Sequence, residues 1–159
     1  MKLIVGLGNP GSGYVGTRHN VGHMVIEVLQ GLKLPKDAVL KKSDTYMNQS
    51  GEFVKSQVDK YKVKDNDLYI IHDDLDILLG EYKIQFGRGP KDHNGLKSVN
   101  DAMSTDQYWH VRVGVDNRPR DNRPMGEEYV LQNFSDEEMV TLNRVILEVC
   151  HKLITDLQT

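Results

Sequence analysis

The chain lacks several features that would each have indicated a particular class of protein. It has one cysteine, Cys150, which excludes an internal disulfide and a zinc site built from several cysteines. No run approaches the ~20 apolar residues of a membrane span, so we expect no membrane contact. The N-terminus opens on the strand-like segment MKLIVGLG, which does not resemble a targeting peptide. These absences favour a cytoplasmic location.

Length and charge distribution suit a single globular domain with one basic region. The 159 residues fit one domain, and the formal net charge is −3. Residues 80–123 carry 8 Lys and Arg against 6 Asp and Glu, whereas residues 124–159 carry 2 against 7. A basic middle segment permits a nucleic-acid contact on one face, although an excess of two charges is weak evidence.

Apolar spacing predicts strands that alternate with helices along the whole chain. A capping box, Ser135 with Glu138, marks the start of the last helix. Strands are predicted at 2–7, 38–40, 68–71, 82–86 and 109–115, and helices from Val21, from Ser50, around 96–103 and from Ser135. This alternation predicts one α/β domain, residues 1–159, with a twisted mixed β-sheet flanked by helices.

The segment Gly6-Leu7-Gly8-Asn9-Pro10-Gly11 matches the G-x-G-x-x-G pattern of dinucleotide sites. In that pattern the third glycine lies in the opening turn of a helix, but here Ser12–His19 intervene before the helix. Pro10 also removes a backbone N–H from the loop. Nucleotide binding is therefore kept only as a weaker alternative for this loop.

Two polar segments follow predicted strands, where α/β proteins bind their ligands. His19 lies between the first strand and the first helix, and histidine is well suited to proton transfer near neutral pH. The segment His72-Asp73-Asp74-Leu75-Asp76 closes the most apolar strand. Its carboxylates could be solvated, pair with a histidine or bind a metal. Adjacent residues on a strand face opposite sides, so at most one of Asp73 and Asp74 points into the crevice.

Three asparagines lie in glycine-flanked loops at strand ends or helix starts: Asn9, Asn48 and Asn94. Turn chemistry explains any one of them, because asparagine tolerates the left-handed conformation and caps helices. All three together suggest a shared site. An amide both donates and accepts hydrogen bonds, so such a cluster suits a peptide backbone or a developing oxyanion.

Six segments occur in a highly specific combination between Lys2 and about Ser135: KLIVGLGNPGSGYVGTRHNVG, TYMNQSG, IIHDDLD with the following Gly80, HNGLKS, VRVGV and YVLQNFS. In this order they closely resemble the bacterial-type peptidyl-tRNA hydrolases. The resemblance implies an enzyme that hydrolyses the ester between a peptide and the 3′ end of tRNA. It further implies peptidyl-tRNA as the partner, no metal or other cofactor, no obligate protein partner, a monomeric state and a cytoplasmic location.

The same resemblance implies roles for individual residues. His19 would be the general base that activates water, and Asp73 would orient its imidazole. The implied substrate contacts are Asn9 and Asn48 for the peptide backbone and reacting carbonyl, Asn94 with His93 nearby for the water and peptide, Tyr14 near the terminal adenosine, and Met47 under the peptide. Lys83, Lys97 and Arg112 would contact tRNA phosphates, and Arg88, Lys91, Arg118, Arg120 and Arg123 are further candidates for that basic patch.

The reaction class fits the residues present. An ester needs less help for its leaving group than an amide, so a His–Asp pair with amide donors could suffice. The sequence has no Gly-x-Ser-x-Gly segment, and Cys150 lies in an apolar helical pattern, which favours direct attack by water. The alternative is a protein of this family that has lost hydrolysis and kept RNA binding.

Two segments depart from the family pattern. Only Pro35–Asp44 separates Leu34 from Thr45, so we expect the sheet to be one strand or hairpin smaller, or the sequence to omit residues. The loop before His93 carries Pro90, Lys91 and Asp92 where the family is richer in glycine. This second departure bears on the grip of the loop on substrate.

Overall fold

Five strands form one sheet in the order β2-β1-β3-β5-β4. The computed structural model describes residues 1–159, with β1 at Lys2–Gly6, β2 at Ala38–Lys42, β3 at Leu68–Leu78, β4 at Tyr82–Phe86 and β5 at Trp109–Asp116. β1 pairs in parallel with β2 and β3, and β3 pairs in parallel with β5. β4 runs antiparallel to β5 at the edge. The predicted mixed α/β sheet is confirmed.

Helices cover both faces of the sheet. They are α1 at Val21–Gln30, α2 at Ser50–Tyr61, α3 at Asn94–Met103, α4 at Gly126–Tyr129 and α5 at Asp136–Leu157. Ile4 and Ile71 pack with α1 and α5 on one face, while Leu3 and Ile70 pack with α2 and α3 on the other. Burial on both faces explains why the predicted strand at 68–71 shows no polar alternation. None of the helices has the length and apolar character needed to cross a membrane.

Two elements differ from the sequence-based expectation. The apolar run predicts that β3 ends at Ile71, but the strand continues to Leu78 because His72, Asp73 and Asp74 pair in register with β5. The ladder shifts only between Asp74 and Leu78. The carboxylates of Asp73 and Asp74 have partners inside the protein, which a hydropathy pattern does not register. The short helix α4 has no counterpart in the expected elements, whereas the capping box of α5 is present as expected.

A close approach between α1 and the strand ends positions the segment before α1. A Cβ atom at Gly22 would lie 2.5 Å from the carbonyl oxygen of Ile71 and 2.6 Å from the backbone nitrogen of Leu7. Only glycine therefore allows the first turn of α1 to rest on β3 and on the residues after β1. This packing brings His19, which directly precedes α1, over the carboxyl half of β3.

Two histidines are buried behind this region with one ring nitrogen of each unpartnered. Nδ1 of His72 contacts the carbonyl oxygen of Asp73 at 3.0 Å, and Nε2 of His110 contacts that of Asp106 at 3.1 Å. The other nitrogens, Nε2 of His72 and Nδ1 of His110, contact no polar group. Burial lowers the pKa of both rings, most strongly for His72, so both are neutral in the folded protein.

These neutral histidines predict a loss of stability in acid. Below about pH 6.5 the unfolded chain binds protons that the folded chain excludes, so the free energy of unfolding falls as pH decreases. The limiting slope is ~1.4 kcal/mol per pH unit for each histidine. Urea unfolding between pH 7.5 and 5 should give a shallower decline for His110→Gln than for the wild type. The exposed His151→Gln is the control, and an unchanged slope in His110→Gln would contradict this account.

Candidate active site

The site centres on a contact between His19 and Asp73. His19 lies in the short 3-10 turn Arg18–Asn20, and its backbone N–H donates to the carbonyl of Val130 at 2.8 Å. Its Nδ1 lies 2.9 Å from each carboxylate oxygen of Asp73, on β3. An Nδ1–H that donates to a carboxylate leaves the lone pair on Nε2. The ring therefore presents an unprotonated nitrogen away from Asp73, as a general base requires.

Asp73 also binds a second histidine. Its Oδ1 lies 2.8 Å from Nε2 of His93, whose Nδ1 accepts a hydrogen bond from the backbone N–H of Leu96 at 3.1 Å. Since Nδ1 of His93 accepts, Nε2 carries the hydrogen and donates to Asp73. Both ring nitrogens of His93 are thus occupied within the protein. The ring caps α3 and holds Asp73, while His93 also lines a cavity beside His19, so its contact with substrate stays a prediction.

The charges of this group reinforce one another. Burial alone would raise the pKa of Asp73, but the charges and hydrogen bonds of His19 and His93 outweigh it and hold that pKa far below its usual range. Burial would lower the pKa of His19, but the adjacent carboxylate outweighs it and raises the pKa above its usual value of 6.5. The result is a stable carboxylate beside an imidazole that is a stronger base than usual.

The neighbouring carboxylates are held by other partners. Oδ2 of Asp74 accepts a hydrogen bond from Nε of Arg112 at 2.7 Å on the opposite side of the strand. Oδ2 of Asp76 accepts one from the backbone N–H of Lys91 at 2.8 Å. The expectation that only one of the paired aspartates faces the crevice is confirmed, and that one is Asp73. Of the three alternatives for this segment, pairing with a histidine is what the structure shows.

A pair of asparagines holds an amide donor at the site. The side chain of Asn20 accepts from the backbone N–H of Asn9 at 2.8 Å and donates to its carbonyl at 3.0 Å. Oδ1 of Asn9 accepts the backbone N–H of Met47 at 2.7 Å, so its NH₂ group remains for a ligand. Asn20 also precedes α1 as its N-cap residue, but its side chain makes no cap hydrogen bond there.

The loop with the G-x-G-x-x-G pattern has no free phosphate cradle. The backbone N–H of Gly8 donates to Oγ of Ser43 at 3.2 Å, and that of Asn9 donates to Asn20. A 3-10 turn at Ser12–Tyr14, rather than a long helix, follows the loop. These contacts remove the amides that would bind a pyrophosphate.

Two cavities adjoin His19 and share Asn94, Glu127 and Val130 in their walls. The larger has a volume of about 570 Å³ and is lined by six of the predicted residues: Asn9, Tyr14, His19, Met47, Asn48 and Asn94. The smaller has a volume of about 230 Å³ and is lined by His19, Asp73, His93 and Asn94 together with Lys91 and Arg118. The structure therefore brings every predicted catalytic and substrate residue to one place.

The predicted phosphate contacts divide into exposed and buried residues. Lys83 is exposed on the edge strand β4, and Lys97 is exposed on α3, where its Nζ lies 2.6 Å from Asp92. Arg120 and Arg123 are exposed in the loop after β5, and Arg88 and Lys91 in the loop before α3. Arg112 is only 6% exposed, with its Nε bound to Asp74 and its Nη1 bound to Gln85, and its contact with phosphate stays a prediction.

His19, Asp73 and His93 also form the one group of side chains whose ligand atoms lie close enough to hold a metal ion, within 4.8 Å of one another. Their hydrogen bonds already satisfy these atoms. Nε2 of His93 carries a hydrogen, because its Nδ1 is an acceptor, and would have to lose it to bind a metal. The donor set thus fits a hydrogen-bonded triad better than a metal centre.

Comparison with known proteins agrees with this geometry. The family model described as peptidyl-tRNA hydrolase matches residues 3–158. The peptidyl-tRNA hydrolase of Geotalea uraniireducens is 38% identical over 180 positions, which cover 98% of this chain and 91% of that protein. That of Geobacillus thermodenitrificans is 36% identical, with 98% and 94% covered. The crystal structure of peptidyl-tRNA hydrolase from Acinetobacter baumannii superposes with a TM-score of 0.84 at 29% identity, covering 99% of this chain and 90% of that one.

The alignment length bears on the short segment before Thr45. The 180 aligned positions exceed the 159 residues of this chain, so the Geotalea protein has residues with no counterpart here. Residues 38–42 still form the edge strand β2 beside β1. That the shortening of this chain falls within residues 35–44 stays a prediction.

A substitution of Arg112 tests whether this residue stabilises the fold through its buried ion pair or binds a tRNA phosphate. Arg112→Ala leaves the carboxylate of Asp74 buried without its partner, so the free energy of unfolding should fall by about 3–5 kcal/mol. Urea unfolding measures this decrease, with the exposed Lys83→Ala as the control. A fully stable Arg112→Ala variant with weaker tRNA binding would show that the guanidinium serves the phosphates after all.

Proposed function

Because the chain belongs to the peptidyl-tRNA hydrolase family, we propose a mechanism in which His19 and Asp73 carry out the hydrolysis of peptidyl-tRNA. The observation that carries this proposal is the contact of His19 Nδ1 with both oxygens of Asp73 at 2.9 Å. The contact selects the tautomer with a free Nε2 beside the two cavities. A nitrogen in that position can take a proton from a water molecule bound in either cavity.

The proton moves from water to His19 and then to the leaving group. Water attacks the ester carbonyl carbon as Nε2 of His19 accepts its proton, and the imidazolium is stabilised by Asp73 through Nδ1. The tetrahedral intermediate expels the ribose oxygen of the tRNA, which receives the proton from Nε2. The products are the peptide acid and free tRNA, and His19 returns to its neutral form.

Amide groups around the larger cavity would bind the peptide and the developing oxyanion. Asn9 has an NH₂ group left for this purpose because Met47 holds its oxygen. Asn48 and Asn94 lie in the same wall, and their amides can bind peptide N–H and C=O groups. Preorganised donors of this kind stabilise negative charge that develops on the carbonyl oxygen.

Apolar surface in the same cavity supports the roles proposed for Tyr14 and Met47. The ring of Tyr14 meets that of Tyr46 edge to face, with centroids 6.5 Å apart, and Tyr46 is 55% exposed. Such a pair offers a face on which an adenine base can stack. The Met47 side chain packs directly against Gly95, where a Cβ atom would overlap its sulfur. Met47 thereby forms a floor beneath a bound peptide.

The exposed basic residues are proposed to hold the tRNA body. Lys83, Lys97, Arg120 and Arg123 are all exposed, and Lys91 and Arg118 line the smaller cavity beside His19. We further propose that the protein acts as a monomer in the cytoplasm. The buried, unpaired Cys150 is compatible with that compartment because it needs no oxidising environment.

His19 is tested by the rate and its pH dependence. His19→Ala should lower kcat by ~10²–10⁴-fold with little change in KM, because only the proton transfer is removed. The wild-type rate should rise with pH through a pKa above 6.5, since the base must be neutral. Asp73→Asn should lower kcat and move that rise to lower pH, because the carboxylate no longer stabilises the imidazolium. With His151→Ala as a control, retention of most activity in His19→Ala would refute the mechanism.

The absence of a metal from the mechanism is tested by chelation. The proton transfers above use only His19 and Asp73, so kcat should be unchanged after prolonged dialysis against EDTA. Magnesium stays in every assay because tRNA folding needs it. The dialysed enzyme is then assayed with and without added zinc or manganese. Loss of activity that one transition metal restores would identify the cluster of His19, Asp73 and His93 as a metal centre.

The tRNA surface is tested by salt dependence. Each phosphate that the protein no longer neutralises should flatten the slope of log K against log salt by ~0.7–0.9. Lys83→Ala and Lys97→Ala, alone and together, should therefore raise KM and reduce this slope stepwise. Lys36→Ala, on an exposed lysine near the C-terminus, is the matched control. An unchanged slope in the double variant would place the tRNA on another face.

A further inference from the structure

The larger cavity beside His19 is lined by one carboxylate and by no lysine or arginine. That carboxylate belongs to Glu127, in the first turn of α4. The remaining walls are asparagine, glutamine, tyrosine and apolar side chains, apart from His19 itself. The smaller cavity, which Glu127 also lines, contains charges of both signs, including Lys91 and Arg118. Among the Asp, Glu, Lys and Arg side chains, only negative charge therefore lines the larger cavity.

The carboxylate of Glu127 has no partner within the protein. It makes no hydrogen bond and no ion pair, although most of the other charged residues near the site are paired. Nζ of Lys97 lies 2.6 Å from a carboxylate oxygen of Asp92. The pKa of Lys97 rises chiefly through this hydrogen bond and slightly through the charge of Glu127. The guanidinium of Arg118 is bound to Asp116 at 2.7 Å. The negative charge of Glu127 is thus free to act on a ligand.

The backbone fixes Glu127 relative to the catalytic histidine. The buried Tyr129, two residues on, donates from its hydroxyl to the carbonyl of Val115 at 3.2 Å and accepts the backbone N–H of Asn117 at 3.0 Å. The carbonyl of Val130 accepts the backbone N–H of His19 at 2.8 Å. These contacts hold the backbone of Glu127 at a constant position relative to His19, so its carboxylate stays within reach of the cavities that it lines.

An unpaired carboxylate is unfavourable in a crevice that binds a polyanion, unless it faces the part of the substrate without phosphates. In peptidyl-tRNA that part is the peptide. A carboxylate there attracts an ammonium or guanidinium group and repels another carboxylate.

We propose that Glu127 is a specificity-determining residue, which favours peptides with a positive charge close to the ester over peptides with a negative charge there. The favoured group is the side chain of a lysine or arginine at or next to the esterified residue. The inference rests on the proposed function, because it concerns the peptide part of the same substrate. Glu127 is exposed, so each attraction or repulsion should change kcat/KM by only about twofold to fivefold.

The experiment compares three substrates on one tRNA body. N-acetyl-dipeptides that end in lysine, norleucine or glutamate are esterified to the same tRNA, and kcat/KM is measured at low salt. Wild type should prefer lysine over glutamate, with norleucine between them. Glu127→Gln should reduce the lysine-to-glutamate ratio by roughly fourfold to 25-fold, because the two effects multiply. The preference should also shrink in wild type as salt increases, because salt screens an exposed charge.

Glu128→Gln is the matched control, since it removes the same charge from the adjacent residue, which lines neither cavity. It should keep the wild-type ratio. An equal lysine-to-glutamate ratio in wild type and Glu127→Gln would overturn the inference. Hydrolysis of all three substrates in that case would still support the proposed function. An equal reduction in Glu128→Gln would overturn it as well, because the general field of the protein would then explain the preference. Failure of wild type to hydrolyse any of the three would overturn both.

Discussion

The carboxylate of Asp73 is the group on which the rest of the site depends. It is 2% exposed and accepts hydrogen bonds from two histidines, His19 at 2.9 Å and His93 at 2.8 Å. A buried charge without such partners would be costly, so the two rings and the carboxylate stabilise one another. Their arrangement sets the tautomer of both rings. It follows that the base at His19 depends on β3, on the turn before α1 and on the start of α3 together.

Much of the fold could be predicted because its signals are local. Apolar spacing predicts the bounds of β4 and most of β5. The pair Ser135 and Glu138 predicts the capping box at the start of α5. The extension of β3 through Asp73 and Asp74 could not be predicted from hydropathy. Those side chains are buried by partners that are distant in sequence, such as Arg112 on β5, and no local pattern encodes such pairs.

The predicted catalytic and substrate residues line two adjoining cavities, but some of their contacts depend on geometry that the sequence does not contain. Strand ends and asparagine loops predicted that Asn9, His19 and Asp73 would meet. The family resemblance assigned His93 to the substrate and Arg112 to phosphate, and the structure adds that His93 binds Asp73 and that Arg112 binds Asp74. The signal that would have indicated these two contacts is the burial of the His93 and Arg112 side chains. It is decided by tertiary packing and appears only once the sheet order is known.

The central claim is that Asp73 fixes complementary tautomers on two histidines, and nitrogen-15 NMR of the imidazole rings tests it most directly. The account predicts that His19 carries its hydrogen on Nδ1 when neutral and gains a second proton with a pKa above 6.5. It predicts that His93 carries its hydrogen on Nε2, and that Asp73→Asn lowers the pKa of His19. A neutral His19 with its hydrogen on Nε2, or a pKa of His19 that Asp73→Asn does not lower, would contradict the account.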